Sequence, residues 1–375
     1  MRPKGALTIL LLVGMLISFM TTSCRQKEPI RIGFIAGLSG KVADLGVAGR
    51  NGVQLAVEQQ NSRGGINGRP IELVVRDDEQ NPDTASRVAG ELIGQNIELI
   101  IGPMTSSMAM AMIPQINASG SILLSPTVTT TDLSGKDDNF LRVISSTTEY
   151  SGKAARYQYE KLGTRTVAAI YDSNNRSYTE SWLNGFRSTF EALGGRVVFV
   201  KSFPSSKDTV FLPLAKELLA ARPDAVLIIS NAVDSASLCQ QLRSQNPKTR
   251  IVMSEWASTE RFIELAGPAS EGVVVTQFLN RGDISTRYRE FVKAYQGRFS
   301  QAPGFAGAAG YDAALVAIEA YSARTGTKSL KEIIIGKQSF QGVQQSLKID
   351  RFGDANRKTY VTLIKNGAYV TVDNQ

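Results

Sequence analysis

The sequence predicts an α/β protein made of two doubly wound lobes. From Ile30 onward, short β-rich apolar runs alternate with amphipathic helical windows, which argues for parallel sheets covered by helices. That alternation breaks and restarts near Thr166. The 375 residues supply two or three domains at about 150 residues each. With 42% hydrophobic and 20% charged residues the composition is that of a folded globular body, not a disordered chain.

In the first half, strands are predicted at Ile30 to Ala36, Ile71 to Arg76, Leu99 to Gly102 and Ile122 to Ser125. Asn81-Pro82 opens a helix whose Ala85, Val88, Ala89, Leu92 and Ile93 form one apolar stripe at helical spacing. In the second half, strands at Thr166 to Tyr171, Arg196 to Val200, Ala225 to Ser230, Ile251 to Ser254 and Val273 to Thr276 enclose helices at Tyr178 to Leu193 and Val210 to Ala221. Helices at Thr286 to Phe299, Tyr311 to Tyr321 and Leu330 to Ile335 follow. Short alternating runs at Gln345 to Ile349, Thr359 to Ile364 and Ala368 to Val372 then suit a hairpin better than another strand-helix unit. No Pro-, Ser- or Gly-rich linker separates the lobes, so they are closely joined and free to hinge.

The composition excludes much chemistry. There is no histidine, so Ser-His-Asp and Cys-His machinery are impossible. Two cysteines cannot build a cysteine-rich zinc site, and Cys24 lies too near the start to pair with Cys239. No assembled carboxylate-pair or Ser-Lys motif is present, so an enzyme is not expected, nor a cofactor or metal. The formal charge of +8 loses two with Arg2 and Lys4, and the basic residues are scattered, which argues against a nucleic-acid partner.

Arg2 and Lys4 precede an apolar run from Ala6 to Met20, the signature of an export signal and shorter than a membrane span. Thr21-Thr22-Ser23-Cys24 then resembles a bacterial lipoprotein cleavage site, with Thr21 where Leu is usual. The expectation is a signal peptide over 1–23, lipidation of Cys24, and a tether over 24–29 reaching roughly 17 Å at about 3.4 Å per residue. The alternative is a plain secretory signal.

Several motifs lead nowhere. Gly33, Gly37 and Gly40 miss the dinucleotide-loop spacing, and Gly40-Lys41-Val42 lacks the Ser or Thr of a phosphate loop. Asn61 to Gly68 is turn punctuation. Asp77-Asp78-Glu79 cannot converge on one ion without outside ligands. Two loops are more informative. Ile101 to Ser107, with Thr105, Ser106 and Ser107, and Ser125 to Thr130, with Thr127 and Thr129, place hydroxyls and free backbone N–H groups at strand ends, a seat for an anion such as carboxylate. Helix capping by the same residues is the alternative.

Taken together, Ile32-Gly33 to Leu38-Ser39-Gly40, Gly64-Gly65-Ile66-Asn67-Gly68, Asp77-Asp78, Ile101-Gly102 with Thr105-Ser106-Ser107, Ser125-Pro126 and Gly310-Tyr311-Asp312-Ala313-Ala314 resemble one family. It is the periplasmic solute-binding proteins of ABC transporters, of the leucine/isoleucine/valine-binding type. The resemblance covers nearly all of the chain after Cys24. It implies two lobes joined by a three-strand hinge, with lobe 1 at 30–147 and 277–345 and lobe 2 at 148–276 and 346–375. It also implies a receptor that captures a small molecule and delivers it to an ABC transporter permease; with the expected lipidation of Cys24, the expectation is a monomer anchored at the periplasm or cell surface.

By that resemblance, Ser106 and Thr129, with the backbone at Thr127, hold an amino acid's α-carboxylate. Glu255, beside Trp256, pairs with the α-ammonium, and Tyr178 is a pocket tyrosine. Leu45 and Asn231 stand where the branched-chain binders have pocket tyrosines, so branched-chain specificity does not transfer. Gln80 and Thr105 stand at those binders' two disulfide cysteines. The function expected is capture of a small polar ligand, foremost an amino acid; the alternative is a receptor for an amide, a urea-like compound or an organic acid serving a sensor.

Overall fold

The computed structural model describes residues 27–373. The expected export segment and Cys24 lie outside the described residues. Among the described residues no helix is long and apolar enough to cross a membrane.

The first lobe runs through β1 (Ile30–Ala36), α1 (Ala43–Ser62), β2 (Ile71–Asp77), α2 (Pro82–Gly94), β3 (Leu99–Ile101), α3 (Ser106–Ser119), β4 (Ile122–Ser125) and β5 (Phe140–Arg142). Its five strands pair in parallel in the order β2-β1-β3-β4-β5. Helices cover both faces, and the central strands β3 and β4 are buried along their whole length, as a sheet sandwiched between helices requires. Asn81 caps α2, its Oδ1 accepting from the N–H groups of Asp83 and Thr84 at 2.9 and 3.0 Å, while Ala85, Val88, Ala89 and Leu92 face the core.

The chain then enters the second lobe with α4 (Thr147–Arg156). There follow β6 (Thr166–Asp172), α5 (Arg176–Ala192), β7 (Arg196–Phe203), α6 (Phe211–Ala220), β8 (Ala225–Ile229), α7 (Ala232–Gln245), β9 (Arg250–Met253), α8 (Glu260–Ala266) and β10 (Val274–Gln277). It returns to the first lobe for α9 (Thr286–Phe299), α10 (Gly304–Ser322), α11 (Leu330–Lys337) and a small antiparallel sheet of β11 (Ser339–Gln341), β12 (Ser346–Ile349) and β13 (Ala355–Asn356). The hairpin of β14 (Tyr360–Lys365) and β15 (Ala368–Asp373) completes the second sheet, ordered β15-β14-β10-β9-β8-β6-β7. Only the hairpin strands run antiparallel there.

The expected division between residues 345 and 346 falls inside the small sheet, because Leu347 of β12 pairs with Phe340 of β11; the chain joins the seven-stranded sheet only at Tyr360. Helix α10 also begins seven residues earlier than Tyr311. Its packing on α1 demands glycine in both helices: a Cβ on Gly52 of α1 would stand 2.1 Å from the Gly307 carbonyl oxygen, and one on Gly310 of α10 would stand 2.3 Å from that of Gly49.

The chain crosses between lobes three times, between β5 and α4, β10 and α9, and β13 and β14. Arg357, on the third crossing, binds all three. Its guanidinium lies 3.9 Å from the ring centroid of Phe278, donates to the Val143 carbonyl at 3.2 Å, and pairs with Asp312 of α10 at 2.7 Å. Its backbone N–H donates to Ser145 Oγ at 2.8 Å.

Candidate ligand-binding cleft

The carboxyl ends of the parallel strands of both lobes face one another, the place where open α/β sheets bind ligands. One small cavity lies there, lined by Leu45, Met104, Thr105, Ser106, Thr127 and Phe305 from the first lobe, Asn175, Tyr178, Glu255 and Trp256 from the second, and Ile144 at the first crossing. It offers about 20 Å³ to the centre of a water molecule, room for one or two waters. Any larger molecule would need the two walls to stand further apart than they do here.

The first-lobe wall is built from two loops laced together. Ser125 Oγ donates to the Pro103 carbonyl at 2.9 Å, and Thr127 Oγ1 donates to the Met104 carbonyl at 2.6 Å. Gly102, at φ +120°, makes the turn after β3; a Cβ there would meet the Ile35 carbonyl oxygen at 2.1 Å. Thr105 precedes α3 in extended conformation with no side-chain cap, so the first N–H groups of α3 point at the cleft. Thr105 Oγ1 instead donates to Gln80 Oε1 at 3.2 Å. The two positions that the resemblance equates with a cysteine pair are thus in contact, joined by a hydrogen bond.

The second-lobe wall centres on Glu255, which follows β9 and is 4% exposed. Its Oε2 accepts from the Trp182 indole N–H at 2.8 Å, while Oε1 is buried without a hydrogen-bond partner. Burial pushes this carboxyl up to about 7, against the lowering effect of its own backbone N–H, the Trp182 indole and the adjacent Tyr178 hydroxyl. Tyr178 stands at its side, edge-on to Trp256 with ring centroids 5.6 Å apart. Thr129 Oγ1 is likewise buried without a hydrogen bond, and the Tyr178 hydroxyl and Ser254 Oγ, which face Glu255 and each other, make none of good geometry. Such a group of orphaned polar atoms is costly in a folded protein unless something else satisfies it.

Leu45, Thr105, Ser106, Thr127, Tyr178, Glu255 and Trp256 come together around this cavity. Three expected residues do not line it. Thr129 is buried beside the first-lobe loop, and Ser107 offers its backbone N–H to Asn175 Oδ1 across the cleft at 3.0 Å. Asn231 stands apart as the N-cap of α7, its Oδ1 accepting from the Asp234 N–H at 3.0 Å and its Nδ2 donating to Asp234 Oδ2 at 2.8 Å.

The sequence reading missed Asn175, Met104, Ile144 and Phe305 in the lining and Trp182 behind it. For Asn175 the available signal was its place at the end of β6, three residues before Tyr178. Among the described residues no cluster of acids and cysteines could hold a metal ion. The Asp77 and Asp78 carboxylates turn inward, accepting from the backbone of Leu38 and Glu79 and of Gln80 respectively.

A family profile described as "Periplasmic binding protein" matches residues 29–368. The Leu/Ile/Val-binding protein BraC3 of Rhizobium johnstonii is 26% identical over 271 residues, covering 72% of this chain and 73% of that protein. The Leu/Ile/Val-binding protein of Escherichia coli is 24% identical over 258 residues, 68% of this chain and 70% of that one. In fold, the chain is similar to the branched-chain amino acid transporter substrate-binding protein LivJ of Streptococcus pneumoniae, crystallised with isoleucine (TM-score 0.84, 24% identity, 92% of this chain and 99% of that one). It is also similar to an ABC transporter solute-binding protein of R. palustris crystallised with benzoate (TM-score 0.83, 21% identity, 92% and 95%).

Proposed function

Since this chain belongs to the periplasmic binding protein family, a family of binding proteins and not of enzymes that works outside the cytoplasm, we propose that it captures a small amino acid with an uncharged side chain for an ABC transporter permease. The observation that carries this reading is Glu255 Oε1, a buried carboxylate oxygen in the cavity wall with no partner of its own. A ligand ammonium completes it. The N-terminus of α3 with the Ser106 hydroxyl and the backbone at Thr127 takes the carboxylate at the other end, each charge-assisted hydrogen bond contributing about 1.5–3 kcal/mol. Leu45, Met104, Ile144 and Phe305 give the side chain an apolar wall, and no Lys or Arg lines the cavity to favour an acidic one. The relatives named for Leu, Ile and Val support the same class.

The site residues belong to both lobes, so a bound ligand favours the closed arrangement and release follows opening. The lobes move as units about the segments near 143–145, 278 and 357, and Cys24, lipidated, holds the monomer at the membrane surface. Titration calorimetry against a panel of amino acids tests the function: micromolar binding of a small neutral amino acid is expected, and binding by none of the panel overturns the amino-acid reading. A second reading has one observation in its favour. With its carboxyl near 7, Glu255 is readily a neutral donor, which suits an organic acid or amide, as in the benzoate-bound relative of the fold. Glu255→Gln separates the two: about a tenfold to hundredfold loss of affinity marks an ammonium partner, and unchanged affinity marks an acid or amide.

A further inference from the structure

Away from the ligand cavity, a lysine of one lobe is inserted into the other. Lys41 follows β1 in the first lobe, and its Nζ stands 2.6 Å from Asp234 Oδ1 at the start of α7 in the second. The same ammonium donates to the Ser206 carbonyl at 2.7 Å and lies 5.8 Å from the Phe211 ring centroid. The Asp234 side chain is fully removed from solvent, its other oxygen held by Asn231 Nδ2 at 2.8 Å. Asp172 is the next acid, close enough for both Lys41 and Asp234 to act on it. Lys41 is thus the cation that faces two carboxylates in the closed arrangement, and none of these residues lines the ligand cavity.

We infer that Lys41 is a latch: it sets ligand affinity by stabilising lobe closure, without touching the ligand. The argument is one of differential burial. With the lobes together, removing the ammonium leaves Asp234 a desolvated charge without its counterion. With the lobes apart, water hydrates Asp234 and the lysine is dispensable. The loss therefore falls on the closed state alone. Apparent affinity scales with the population of the binding-competent arrangement, so every ligand loses by the same factor. Specificity, set by Glu255 and its neighbours, stays where it was.

The inference rests on the lobes opening and closing, and not on the identity of the ligand, so its test begins with ligand-free protein. Spin labels on cysteines placed at the exposed Asp83 and Lys207 report the inter-lobe distance; Cys239 is buried and stays unlabelled. Lys41→Ala is expected to shift the distance distribution to longer values, and Lys41→Arg to restore the parent distribution. Asp234→Asn, which approaches the contact from the other lobe, is expected to lengthen it as Lys41→Ala does. For any ligand the calorimetric panel finds, Lys41→Ala is expected to weaken binding about tenfold, by one common factor and through faster dissociation. A Lys41→Ala distribution that superimposes on the parent's overturns the latch, even if no amino acid binds at all. So does a loss of affinity that differs from ligand to ligand.

Discussion

Trp182 donates its indole N–H to Glu255 Oε2 at 2.8 Å, and this is the hydrogen bond that keeps a buried carboxylate aimed at the cleft. Trp182 is itself wholly buried and stacked on Phe186 with ring centroids 5.8 Å apart. With the carboxyl at about 7, an ammonium ligand meets the ionised form above neutrality and must displace a proton below it. Affinity for amino acids is expected to fall roughly tenfold per pH unit below about 7, measured by calorimetry from pH 5 to 9. Trp182→Phe removes the donor and is expected to move that midpoint upward. A pH-independent affinity would show that Glu255 meets no cation.

The same group makes ligand-free stability depend on pH in the opposite sense. Its folded value of about 7 lies above the ordinary 4.5, so between those values the folded protein holds a proton that the unfolded chain has released. Stability is therefore greatest below about 4.5 and is lost as pH rises through 7, by about 3 kcal/mol in all at 1.36 kcal/mol per unit of pKa difference. Denaturant titration of Glu255→Gln against the parent isolates this contribution: the variant is expected to gain stability relative to the parent at pH 8 and none at pH 4.

Gln80 and Thr105 touch where the resemblance places a cysteine pair. Gln80→Cys with Thr105→Cys is expected to oxidise to a disulfide in air, raising stability by about 3 kcal/mol for a loop of this length. Mass spectrometry before and after reduction counts the bridge, and a reduced minus oxidised melting curve gives its effect. Two free thiols in the oxidised sample would mean the loops stand further apart in solution.

Much of this fold was legible from periodicity, because its strands and its cap signals are local. β1 and β4 start and stop at the predicted residues, and Asn81-Pro82 opens α2. What escaped was decided by tertiary packing. Helix α7 buries Ala232, Ser235, Ala236 and Cys239, small residues whose contrast with its polar face is too weak to read as a stripe. The first two turns of α10 carry Gly304, Gly307 and Gly310, which locally argue against a helix and make sense only in the packing: Gly310 against α1, Gly307 against Tyr295 of α9 and Gly304 against Glu260 of α8. At the site, Glu255, Tyr178 and Ser106 were marked by the resemblance and by strand ends, whereas Trp182 approaches from mid-helix, where nothing in its neighbours' spacing signals a carboxylate 73 positions away.

That glycine seam gives a prediction of its own. A methyl group at Gly52 has no room, since its carbon would sit 2.1 Å from a backbone carbonyl oxygen of α10, which cannot rotate out of the way as a side chain would. Gly52→Ala is expected to cost about 1–3 kcal/mol or more, despite alanine's better helix propensity. Gly94, near the carboxyl end of α2, has open space where its Cβ would go, so Gly94→Ala is expected to be neutral or stabilising by up to about 1 kcal/mol.

The Arg357–Asp312 pair is the last and sharpest test, because both side chains are fully buried and the arginine touches every crossing segment. Removing one partner strands a charge, so Asp312→Ala is expected to destabilise by about 3–5 kcal/mol. Replacing both with apolar residues of similar volume, Arg357→Met with Asp312→Leu, removes the stranded charge, and the double variant is expected to be more stable than Asp312→Ala by denaturant titration. The double variant still lacks the donor to the Val143 carbonyl, leaving a crossing segment less firmly held. Its inter-lobe distances should consequently spread more widely than the parent's, while ligand selectivity, set in the cleft, remains the same.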